Sequence, residues 1–76
     1  MNAKLAQILA DTFGLDTGAV SQDTAATNTP EWDSVMHLNL CLSVEETFQV
    51  KLSPEEMMEM TSVRAIEDVL ARHGAA

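Results

Sequence analysis

What constrains this chain most is the change of character at Glu31-Trp32-Asp33-Ser34-Val35. Before it, residues 14–33 scatter Gly14, Gly18, Asn28 and Pro30 among Ser, Thr and Asp, residues that interrupt regular structure. After it comes the most apolar run of the chain, Val35 to Phe48. A helix has to begin at the junction. Asp33 is its natural N-cap, because a carboxylate there accepts from the free backbone N–H groups of the first turn. The pattern predicts a helix from Ser34 to about Val50. Ser34 then stands at the first helical position, its hydroxyl directed outward at the positive end of the helix dipole. An attached anion is favoured there, so Ser34 is a candidate anchor for a phosphate-linked group.

The remaining segments read as a small helical scaffold. Leu5, Ile8, Leu9, Thr12 and Phe13 recur at helical spacing, predicting a first helix over about residues 3–13, capped by Asn2 and stopped by Gly14. The connection over 14–33 is long for a compact domain, and Leu15 and Val20 are the residues expected to pin it down. Its simplest reading is a strap that lets the second helix start at the same end as the first. Ser53-Pro54-Glu55-Glu56 is a capping box with proline in the first turn, and it opens a short helix over about 54–60 carrying Met57, Met58 and Met60. Thr61-Ser62 interrupts it and caps a last helix over about 62–72, with Val63, Ile66, Val69 and Leu70 as the buried stripe. Arg72 and His73 suit its negative end, and Gly74 stops it. The expected fold is all-α: a four-helix bundle of three main helices and one short one, in a single domain over 1–76, with a long loop between helices 1 and 2.

The second helix has two apolar faces when residues are placed at 100° per step. Leu40, Cys41, Val44 and Phe48, with His37 among them, form the wider face and are assigned to the core. Val35, Leu38 and Leu42 form a second strip bordered by Asn39, Glu45, Glu46 and Gln49. An apolar strip with an acidic rim, beginning beside Ser34, is the pattern of a docking surface. Trp32 is assigned to packing over the helix start.

Twelve acids against four bases give a net charge of −8, which argues against nucleic acid as a partner and favours proteins with basic patches. One cysteine excludes an internal disulfide. With no secretory leader and no apolar run of spanning length visible, a cytoplasmic location without membrane insertion is expected. His37, Cys41 and Glu45 share helical metal-ligand spacing, but no second cluster completes a site, so no metal is expected. Asp33, Ser34 and His37 have triad residue types but lie contiguously on one helix, whereas a triad converges from different elements. No catalytic residue, and no enzyme activity, is assigned.

Trp32-Asp33-Ser34-Val35, the helix ending Val44-Glu45-Glu46-Thr47-Phe48, then Leu52-Ser53-Pro54-Glu55-Glu56 and Thr61-Ser62-Val63 together resemble the acyl carrier protein family over nearly the whole chain. The resemblance implies a serine, Ser34, that carries 4′-phosphopantetheine through a phosphodiester, with Asp33 beside it. It implies acyl groups held as thioesters for enzymes of fatty-acid, polyketide or specialised lipid synthesis. A phosphopantetheinyl transferase would load the arm from coenzyme A, and the protein would work as a monomer without chemistry of its own. Val35, Leu38, Leu42, Glu45 and Glu46 match the family's docking positions for acyl-transferring and acyl-modifying enzymes with basic patches. His37, Cys41, Leu42, Met57, Met58 and Ile66 fall near the family's acyl cavity between the second and third helices. Met36 and Asn39 replace acids usual in the main fatty-acid carriers, and Val35 replaces a leucine, which points to a dedicated pathway. Two alternatives stand beside this: an aminoacyl or peptidyl carrier, and a non-carrier acidic helical adaptor.

Overall fold

A computed structural model describes residues 1–75 of the chain. Its described residues form four α-helices and no strand: α1 (Ala3–Phe13), α2 (Ser34–Phe48), α3 (Pro54–Glu59) and α4 (Val63–Arg72), in a body of 26 × 24 × 19 Å. This is the expected helical bundle with its long α1–α2 loop.

The helix ends follow their caps. The Asn2 side chain accepts from the N–H groups of Lys4 (2.9 Å) and Leu5 (3.3 Å), satisfying donors that the first turn cannot. Gly14 closes α1 with φ of 68°, where a side chain would be strained, and Leu15 N donates to the Ala10 carbonyl at 2.9 Å. Ala10 is buried on α1, whereas Thr12 is only half-buried. Helix α3 opens with the reciprocal Ser53–Glu56 box, at 3.1 and 2.9 Å. The Ser62 hydroxyl caps α4 through Ala65 N at 3.1 Å.

Helix α2 stops two residues earlier than the expected Val50. Gln49 turns left-handed at φ 54°, and Val50 N donates back to the Glu45 carbonyl at 3.2 Å. The Glu45 carboxylate also accepts from Leu52 N at 2.9 Å, holding the departing chain against the helix end. Sequence periodicity carries no signal for that reversal, since glutamine is not a left-handed residue by preference.

One core joins all four helices. Leu5 and Leu9 of α1, Leu40 and Val44 of α2, and Val63, Ile66, Val69 and Leu70 of α4 are fully buried, with Met60 following α3. Each such aliphatic side chain contributes about 1.5–3 kcal/mol relative to exposure, which is how so small a chain offsets its ordering entropy. Phe48, expected in this core, is only half-buried at its edge.

The connection over 14–33 is more ordered than a loop. It holds two 3₁₀ turns, Thr17–Ala19 and Ala26–Asn28. Val20 is buried and Leu15 half-buried. The strap is then tied to the α3–α4 junction: Ala26 N donates to the Thr61 carbonyl and Val63 N to the Thr24 carbonyl, both at 2.9 Å. Asn28 fastens it internally, accepting from Ala25 N at 2.9 Å and donating to the Asp23 carbonyl at 2.8 Å.

Candidate functional site

Ser34 is exposed and is the first residue of α2. Asp33, with extended backbone, caps the helix through Met36 N at 2.9 Å, and its carbonyl accepts from His37 N at 2.8 Å. The cap uses a side-chain oxygen on one donor and leaves other first-turn N–H groups available. The first turn carries no acid of its own. A hydroxyl at this position therefore stands where backbone dipoles favour an anion.

Behind the helix start lies a polar chain that periodicity does not reveal. Trp32 is 6% exposed and stacks on Phe13 with ring centroids 4.9 Å apart. Its indole Nε1–H donates to His37 Nδ1 at 3.0 Å, and His37 Nε2 lies 2.7 Å from the Met57 carbonyl. An indole nitrogen can only donate and a carbonyl can only accept. His37 is thereby assigned as the neutral tautomer with its proton on Nε2, donating to Met57. One imidazole links the loop, α2 and α3. Cys41 Sγ lies one turn below, 3.7 Å from the same Nε2. Burial, and then the charge of Glu45, push the Cys41 thiol above its ordinary range, so it stays protonated at neutral pH.

A cleft of about 310 Å³ opens beside Ser34, lined by Ala26, Trp32, Asp33, Ser34, His37 and Thr61. Ala26 and Thr61 come from the strap and the junction it is tied to, a pairing across the chain that no local pattern could announce. The Trp32–His37 spacing across a helix start was the one available signal.

The expected docking residues divide. Val35, Leu38 and Leu42 are exposed at 69, 54 and 52%, far above the usual burial of such side chains. Glu46 is exposed. Glu45 is half-buried, and one of its oxygens holds Leu52 N. The expected acyl-cavity residues divide as well. Met58 is 78% exposed, on the surface rather than in the packed interior. The short helix α3 turns that residue outward and buries the chain through Met60 instead. Cys41 and Ile66 are packed in the core, Met57 lies against it, and His37 alone of these borders the cleft beside Ser34.

A family profile described as a phosphopantetheine attachment site matches residues 3–70. The chain is also similar to curated proteins named acyl carrier protein. One from Syntrophobacter fumaroxidans is 28% identical over 76 residues, covering 100% of this chain and 94% of the relative. One from Rubrobacter xylanophilus is 29% identical over 73 residues, covering 96% and 90%. One from Myxococcus xanthus is 29% identical over 68 residues, covering 90% and 86%.

Proposed function

The chain belongs to the phosphopantetheine attachment-site family, and on that premise we propose that Ser34 carries the arm of an acyl carrier protein, in one carrier domain over residues 1–76. The arm is covalently attached 4′-phosphopantetheine, and when attached it supplies a flexible tether ending in a thiol that holds acyl groups as thioesters. The observation that carries the Ser34 assignment is its exposed position at the first residue of a capped, fifteen-residue helix. A phosphodiester formed on that hydroxyl meets unpaired N–H groups and the helix dipole. Asp33 and Ser34 work as a pair: the first fixes where the helix begins, the second stands at the point so fixed.

In this reading the protein catalyses nothing. A phosphopantetheinyl transferase loads it from coenzyme A, and acyl-transferring and acyl-modifying enzymes with basic patches dock on α2. Val35, Leu38 and Leu42 supply apolar contact and Glu46 supplies charge, with Glu45 contributing its field while holding the helix end. The net charge of −8 steers such partners over a distance of about a Debye length. No described helix is long and apolar enough to cross a membrane; in the proposed role the protein works in the cytoplasm among diffusing partners, as a monomer.

Incubation with coenzyme A and a transferase should add one arm by intact mass, and Ser34→Ala should abolish the addition. Because Cys41 is 1% exposed and its thiol is held protonated, a thiol reagent should label the native loaded protein once and the native unloaded protein hardly at all. A wild-type chain that several transferases leave unmodified would refute the carrier reading and leave a helical adaptor.

A further inference from the structure

We infer that the attached arm rests in the cleft between the strap and the start of α2, and that the His37 ring closes the bundle interior to the cargo. This rests on the reading that Ser34 carries the arm. Ser34 is itself a wall of the cleft, so the first atoms of the arm must leave along it. The cleft, at about 310 Å³, falls at the lower end of the range for small-molecule sites. Its walls offer the arm both apolar and polar surface. The phosphate lies at the helix terminus. The dimethyl-substituted carbon that follows finds the apolar surfaces of Trp32 and Ala26. The hydroxyl and amides beyond it find Thr61, since both His37 ring nitrogens are already bonded within the protein.

The same residues close the other route. His37 borders the cleft on one side and Cys41 on the other, at 3.7 Å. Its Nε2–H holds the Met57 carbonyl at 2.7 Å, which ties α2 to α3 where a chain would have to enter. Behind that bond Cys41, Met60 and Ile66 are exposed by no more than 1%. A cargo that entered there would break the bond and displace packed side chains. Cargo therefore stays outside, and the site suits short or polar acyl groups, which lose little by being left unsheltered.

The test uses isotopically labelled full-length protein, with arm addition verified by mass. On loading, the Trp32 indole N–H, the His37 ring and the Thr61 amide should shift in NMR spectra, while the Cys41 and Ile66 amides stay in place. In arm-bearing molecules of an Ala26→Leu variant, whose added side chain fills the cleft, the Trp32 and His37 shifts should shrink. Acetyl, octanoyl and dodecanoyl loads should give the same thermal midpoint. Shifts at Cys41 and Ile66, unmoved Trp32 and His37 signals, or a midpoint that climbs with chain length would each overturn the inference while leaving the carrier reading intact. Failure of the mass to change would instead remove the carrier reading, and this inference with it.

Discussion

Replacing His37 by alanine removes an imidazole that satisfies two partners at once. The Trp32 indole N–H, in a side chain only 6% exposed, loses its acceptor at 3.0 Å. Leaving such a buried donor unpaired costs about 1–3 kcal/mol. The Met57 carbonyl loses a 2.7 Å donor; Met57 is half-buried, water can replace the donor there, and only the net worth of one bond, about 0.5–1.5 kcal/mol, is at stake. The His37 ring also leaves its stack on Trp32, with centroids 6.2 Å apart, a contact of about 0.5 kcal/mol. The expected loss is roughly 2–5 kcal/mol, a large part of the ~4–11 kcal/mol usual for a chain of this length. Urea unfolding followed by far-ultraviolet circular dichroism measures it without relying on the indole. Trp32→Phe removes the donor and keeps an aromatic ring over Phe13. If the bond exists, the double variant should cost less than the sum of the two singles by about 1 kcal/mol. Additive costs, within about 0.3–0.5 kcal/mol, would show that Trp32 and His37 do not share a bond. The tautomer assignment and the closed α2–α3 seam would fall with it.

Acid should weaken the α3–α4 end of the bundle. Glu56 accepts from Ser53 N and pairs with His73, and these hold its carboxyl below the usual carboxylate range, the Ser53 bond first. A lowered folded-state pKa gives stability that is present above the unfolded value and lost as pH falls through the folded one. Glu56→Gln should therefore flatten the decline of the urea midpoint below about pH 4.3, the ordinary glutamate value. Gln49→Gly should raise stability by up to about 1 kcal/mol, read as a higher urea midpoint, because glycine adopts the φ of 54° without strain. Leu38→Ala should change stability by less than about 0.5 kcal/mol, since the side chain is 54% exposed. It should nonetheless raise the transferase KM, by roughly fivefold or more if Leu38 is an interface anchor worth above 1 kcal/mol; an unchanged KM would remove Leu38 from the docking face.

Local chemistry made most of the fold legible. Asn2, Asp33, Ser53 and Ser62 each cap through a side-chain oxygen, as residues of their type do wherever a helix follows. The single stripe of α4 is the clearest case, with Val63, Ile66, Val69 and Leu70 all buried. What stayed hidden depends on contacts between distant residues. The strap reads as a string of breakers, yet its backbone is paired with Thr61 and with Val63. Met58 and Met60 are alike in the sequence, but one is 78% exposed and the other is fully buried. Their difference is set by where a six-residue helix ends, which spacing alone leaves open by a residue or two. The exposed position of Ser34 was legible because it needs only a helix start. The cleft was not, because it needs Ala26 and Thr61 brought together.

Helix α2 links the fold to the proposed function. Inward it presents Leu40, Cys41 and Val44, each exposed by 1% or less. Outward it presents Val35, Leu38 and Leu42, each more than half exposed. The outer set contributes little to holding the bundle together, and on an isolated domain it only invites association. Such residues make physical sense when a succession of partners covers them briefly. The acids around them then matter for rate and for discrimination more than for affinity. A carrier that must be released after each encounter needs a surface of this kind, apolar enough to seat a partner and too small to keep it.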